Sequence, residues 1–171
     1  MSFLLSGCSV SNNIQDATLD KNLSSSSEEV CSDMDKLIYE KEKEYEIPKG
    51  TLRAMAVVES KVHPYAVNSQ RKAHYFPSKQ AAINFVNTSI AKGHRNMSVG
   101  CLQLHYNSHR NKFGSVCKML DPSANVDYAA KLLKTLYNQY GSWETAIKKY
   151  HAGKSSSNAI YYQKVMRNLK S

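Results

Sequence analysis

From Ser60 to Leu120 the chain contains no aspartate and no glutamate, although the same stretch holds nine lysines or arginines and five histidines. Nor does any apolar run approach the ~20 residues of a membrane-spanning helix, which excludes a helical span. The four cysteines, at positions 8, 31, 101 and 117, form no C-x-x-C and do not alternate with histidine at zinc spacing. A structural zinc site is therefore not expected. Cys101 and Cys117 are the closest in sequence and make the candidate disulfide pair. Alternating strand patterns are almost missing, apart from a short excursion around residues 70–76, and there is no internal repeat.

What is present is positive charge and helical periodicity. A net charge of +9 points to a polyanionic partner such as nucleic acid, an anionic membrane face or a bacterial cell wall. The basic residues are scattered, with no basic stripe, RRM or zinc-finger pattern, so nucleic acid is not the expected partner. The 171 residues suit one domain with a real core.

Residues 9–27 are rich in Ser and Asn and poor in large apolar groups, and read as a flexible linker. Residues 28–171 then read as a mainly α domain. Ser27 is the expected cap of a first helix carrying Cys31, Met34, Leu37, Ile38 and Tyr45 on one stripe. Pro48 opens the next element. Ser78, Asp121-Pro122 and Ser142 are strong helix starts, and Gly93, Gly141 and Gly153 are stops. A last helix carries Ile160, Tyr161, Val165 and Leu169.

One carboxylate stands out. In GTLRAMAVVESKVHP, Glu59 lies at i+7 from Leu52, on the face that Leu52, Met55 and Ala56 bury. Desolvation disfavours the charged form, so its pKa is expected to rise from ~4.3 toward ~6. A carboxylic acid still protonated near neutral pH is fit for general acid catalysis; the alternative is a helix-terminal Glu that reaches water or pairs with Lys61 or a nearby histidine. Glycosidases ordinarily need a second carboxylate, and the long acid-free segment supplies none. Asp121, Asp127 and Glu144 sit at helix starts and read as caps and dipole partners. His105 and His109 stand at i, i+4, a metal-ligand spacing, but Tyr106 occupies the place of the glutamate in H-E-x-x-H. No metal and no cofactor is expected.

Four segments in order, VVESKVHPYAVN, SVGCLQL, DPSANVDYAAKLL and AIKKYHAG, resemble the signature segments of the soluble lytic transglycosylase (SLT) family over residues 45–153. The resemblance implies a lysozyme-like, mainly helical fold. It also implies cleavage of the MurNAc–GlcNAc bond of peptidoglycan without water, leaving a 1,6-anhydro sugar end. Glu59 matches the only catalytic residue of that family, an acid that later acts as base on the sugar's own 6-hydroxyl. The resemblance further marks Ser60, Asn68, Gly100, Gln103, Tyr150 and His151 as substrate-binding.

For several of these a structural role stands beside the functional one. Ser60 is either a direct participant or a solvent-facing hydroxyl. Asn68 either bonds sugar or stabilises a turn. Gly100 allows close approach of a sugar or of a helix, while Gln103 offers a donor and an acceptor to the substrate. Tyr150 ends an apolar stripe as a core aromatic would, and the resemblance matches it to the family tyrosine that faces the acid. His151 replaces the commoner asparagine and adds a titrating group. Residues 69–98, longer than in compact members, are expected to shape the groove. The alternatives are a lysozyme-type hydrolase or a peptidoglycan-binding protein without activity.

A wall substrate requires export. Residues 1–8, ending Leu5-Ser6-Gly7-Cys8, read as the remnant of a lipoprotein signal with its lipobox. Cys8 is then the lipidated first residue of a protein anchored to a membrane in the periplasm. A secretion or division machine as partner leaves no signature in the chain.

Overall fold

The computed structural model describes the backbone of residues 22–151 and 155–169, with side chains from Asp33 onward. Cys8, most of the expected linker and Gly153 lie outside the described residues. The fold is mainly helical, as expected. Helix α1 spans Asn22–Glu44, so its backbone starts ahead of Ser27, the expected cap. Ser and Asn each disfavour helix by only a few tenths of a kcal/mol, and a helix nucleated by a packed segment propagates through them. That packed segment is the predicted stripe: Met34 and Ile38 are buried, with Leu37 and Tyr45 against them.

Helix α2, Thr51–Ser60, is the centre of the molecule, packed on α1 and on α8, Ser155–Leu169. Leu52, Met55 and Ala56 are fully buried on it. Its start has no side-chain cap of its own, because Gly50 occupies that position in the left-handed region. The buried carboxylate of Glu42, in the last turns of α1, does the work instead. It accepts from the backbone N–H groups of Gly50 at 2.7 Å, Leu52 at 2.8 Å and Arg53 at 3.2 Å. A negative group at the positive end of the helix satisfies its free donors. It also fixes α2 to α1, and thereby the position of everything α2 carries.

The other helix starts form as read. Ser78 accepts from Ala81 N–H at α3, Lys79–Ala91. Asp121 accepts from Ala124 N–H at α6, Pro122–Tyr140. Ser142 accepts from Thr145 N–H at α7, Trp143–Tyr150. Helix α6 packs on α1 and α7, and α7 on α8. In α8, Tyr161 and Val165 are buried and Leu169 packs against the core, but Ile160 faces out.

The sheet is larger than expected. Strands β1 (Ala66–Ser69), β2 (Lys72–Tyr75), β3 (Met97–Val99) and β4 (Leu104–His105) form one antiparallel sheet, ordered β2-β1-β3-β4. Only β2 falls within the excursion read at 70–76. The others, at two to four residues, are too short to carry a period-2 signal. Registration puts Val67, Val99 and Leu104 across from one another on the buried face. Asn68, Ser98 and His105 are matched on the other. Two small helices, α4 (Tyr106–His109) and α5 (Val116–Met119), link the sheet to α6. Cys117 is disulfide-bonded and Cys101 is not its partner. The pairing expected from sequence proximity is therefore wrong; Cys101 is buried in the core.

Candidate active site

Helix α2 ends abruptly behind Glu59. Lys61 and Val62 both take the left-handed conformation, at φ 58° and 63°. Their N–H groups return to Val57 O and Ala56 O, which closes the helix end. Positive φ at two successive residues with side chains, one of them β-branched, stores roughly 1–2 kcal/mol per residue. The effect is to turn the chain away at once and leave Glu59 at the edge of a cleft of about 580 Å³.

Glu59, Asn68, Gln103, Tyr150 and His151 all line that cleft, together with Ser98 and His105 from the open face of the sheet. Glu59 is the only carboxylate lining it among the described residues. The others considered from sequence are engaged elsewhere. Asp121 caps α6 and pairs with Lys79 at 3.0 Å. Asp127 pairs with Lys41 at 2.7 Å and accepts from Tyr45, and Glu144 pairs with Lys148.

The Glu59 side chain reaches the cleft but is otherwise enclosed by protein. Burial pushes its pKa up to about 7, against a weaker downward pull from the Tyr161 hydroxyl. Its seat at the C-terminal end of α2 acts in the same direction as burial, since the partial negative charge there opposes a carboxylate. The rise is larger than the sequence suggested, because burial outweighs the pull of the Tyr161 hydroxyl.

Tyr161, a residue that sequence reasoning placed only in the core, therefore belongs to the site. Its ring is buried, its hydroxyl has no hydrogen bond of ordinary geometry, and it lies close enough to Glu59 for each to shift the other's titration. A hydroxyl held beside the acid steadies the carboxylate once the proton has left. Tyr161→Phe is expected to raise the Glu59 pKa further. The alkaline limb of a pH–activity profile should then move to higher pH, with lower activity at its plateau. An unshifted limb would remove Tyr161 from the site. The ring of His151 stacks on Tyr161, with centroids 4.5 Å apart and planes 8° from parallel. Burial, and then Lys164, lower the His151 pKa and favour its neutral form.

The remaining sequence candidates converge on one turn, residues 100–103. Ser60 neither faces solvent nor reaches the cleft. Buried to 1% exposure, it donates to Cys101 O at 2.7 Å and Ala56 O at 3.3 Å. Tyr150 lines the cleft, but its hydroxyl donates to Leu102 O at 2.8 Å. Gly100, at φ 82°, is buried and serves a helix, not a sugar. A Cβ there would stand 2.2 Å from the Asn125 amide nitrogen. Asn125, on α6 and fully buried, donates to Val99 O and Met119 O and accepts from Leu102 N–H. Sequence reasoning passed over this asparagine inside DPSANVDYAAKLL; a polar residue on an otherwise apolar face was the available signal.

Gln103, at φ 45°, gives its amide nitrogen to Ala66 O at 3.2 Å and Gly100 O at 2.9 Å. Its side chain still borders the cleft. Asn68 stands exposed on central strand β1, not in a loop.

The turn is thus a rigid wall opposite Glu59, held from α2, α6 and α7. Gly100→Ala is expected to cost at least ~2 kcal/mol, through the clash and the positive φ. Denaturant midpoints would measure this, and a neutral result would contradict the Asn125 contact. His105 uses Nδ1 on Ser108 and Nε2 on Asn96, and His109 uses Nδ1 on Tyr128. These histidines act as polar wall groups.

Comparison with curated proteins and with solved structures found no match. Comparison with family models found one, described as the Transglycosylase SLT domain, over residues 36–167. This span is wider than the resemblance read at 45–153 and takes in the last turns of α1, most of α8 and every described cleft residue. The chain therefore belongs to the transglycosylase SLT domain family.

Proposed function

We propose that the protein is a peptidoglycan lytic transglycosylase that cleaves the β-1,4 bond from MurNAc to GlcNAc without water. The observation that carries this reading is a single carboxylate in the cleft, with its pKa raised to about 7. In the first step protonated Glu59 gives its proton to the glycosidic oxygen as the C1–O bond breaks, and GlcNAc leaves with a free 4-hydroxyl. In the second, the 6-hydroxyl of the same MurNAc bonds to C1 while Glu59, now a carboxylate, takes the hydroxyl proton. The product is a 1,6-anhydro end and the enzyme returns to its starting state, so no second carboxylate and no cofactor are needed.

Neutral sugar hydroxyls and N-acetyl groups suit the polar wall of Asn68, Gln103 and His151. A glycosidase with two carboxylates keeps them ~5–10 Å apart in one cleft, so a lone Glu59 among the described lining residues supports one group acting as acid and then base. Digestion of purified peptidoglycan followed by mass spectrometry of the fragments tests the reading. Anhydro ends are expected. Reducing ends would make the protein a lysozyme-type hydrolase, and retention on the wall without products would make it a binding protein.

Export to the periplasm follows from this substrate, and the Leu5-Ser6-Gly7-Cys8 sequence makes Cys8 the residue proposed to carry a lipid. Disulfide-bonded Cys117 suits an oxidising compartment. Fatty-acid labelling of the expressed protein should mark the wild type and not Cys8→Ser.

A further inference from the structure

Beyond the Glu59 cleft, the open face of the sheet continues into a second cavity of about 470 Å³, lined by Asn68, Gln70, Arg71, Asn96, Met97 and Ser98. Asn68 and Ser98 border both cavities, so the two adjoin along this face. The β1–β2 connection is a two-residue turn of Gln70 and Arg71, since Ser69 pairs with Lys72. Both turn residues have positive φ, 53° and 64°. Asn-Gly is the natural sequence for such a turn; a glutamine and an arginine there keep roughly 1–2 kcal/mol of strain per residue. The Gln70 amide is hydrogen-bonded to His94 Nδ1, which ties the turn to the chain leading into β3.

Arg71 is exposed, as are Lys72 and Arg95 nearby in the fold, and none of the three takes part in an ion pair among the described residues. The five other cations that pair all do so with carboxylates outside this face. No acidic residue occurs between Ser60 and Leu120 to neutralise it. At ~3.3 Å per strand residue, Arg71 lies within about 10 Å of Asn68 along the chain.

A glycan strand carries no charge on its sugars once the lactyl group is amide-linked. Its negative charge sits on the carboxylates of the peptides that the strand bears. We propose that Arg71, presented by the β1–β2 turn, binds a carboxylate of the stem peptide, so that this end of the cleft selects peptide-bearing strands. This rests on the transglycosylase reading above and names the part of the substrate that the second cavity takes. A guanidinium forms two parallel hydrogen bonds with a carboxylate, which distinguishes such a site from a diffuse positive surface.

The test compares purified peptidoglycan with the same material after its peptide carboxylates are converted to primary amides, using wild type and Arg71→Gln. Wild type should lose about tenfold in kcat/KM on the amidated wall. Arg71→Gln should act on both walls at the same rate, equal to that of wild type on the amidated one. Equal losses in both proteins, or no effect of amidation on wild type, would overturn the site. A wild type inactive on both walls would overturn the transglycosylase reading instead. Sedimentation with the two walls then decides the site alone: wild type should be retained more by the unmodified wall, and equal retention would overturn it.

Discussion

Glu59→Gln is expected to lower the rate of anhydro-end formation by at least about 10³-fold while leaving retention on the wall intact. General acid catalysis is worth ~10²–10⁴ in rate, and in the proposed mechanism one carboxyl supplies the acid of the first step and the base of the second. Glutamine keeps the shape and fills the same space, but has no proton to give at pH 7. Among the described residues no other carboxylate lines the cleft to replace it, and Asp121, Asp127 and Glu144 are paired elsewhere. Residual activity above about a tenth of wild type would mean that another group is the acid.

The same substitution should make the protein more stable, and only above acidic pH. Below about pH 4.5 the carboxyl is protonated in the folded and unfolded chain alike, so its burial costs nothing through charge. As pH rises from 4.5 to about 7, the unfolded chain releases the proton and the folded one holds it. Stability therefore falls with rising pH through that window, by ~1.4 kcal/mol per unit and about 3 kcal/mol in all. Above pH 7 the whole cost is present. Glu59→Gln removes it, so its Tm should exceed that of wild type by roughly 5–10 °C at pH 8 and match it at pH 4.5. Equal values at pH 8 would show that the wild-type carboxylate is not penalised by its surroundings. A site kept ready for proton transfer at the expense of stability is a recurrent trade.

Helices α3, α6 and α7 were legible because each carries its own punctuation. Ser78, Asp121-Pro122 and Ser142 cap helices in the way their residue types require. Glu59 was legible as well, since a carboxylate on the buried face of α2 violates the apolar pattern. The capping of α2 was not, because its cap comes from Glu42 on another helix and no local pattern records it. The strands were too short for periodicity, so the sheet that forms the cleft floor could not be read, although the segment that builds it could be singled out by its charge.

Among the candidate site residues, Glu59, Asn68, Gln103, Tyr150 and His151 meet in one cleft, while Ser60 and Gly100 serve the turn beside it. A motif marks residues that a site needs without saying which touch substrate and which hold its walls. Asn125 and Tyr161 show the converse: Asn125 was marked only by its polarity on an apolar face and Tyr161 by nothing, and the fold brings them to the turn and to Glu59.

The central claim is that one carboxyl, protonated at neutral pH, drives the reaction. Carbon-13 NMR titration of the Glu59 side chain, run beside the pH–activity profile, tests it most directly. The account predicts a carboxyl titrating near pH 7 and an activity that falls with rising pH through the same midpoint. A Glu59 carboxyl titrating near pH 4.5, with activity unchanged through pH 7, would contradict it.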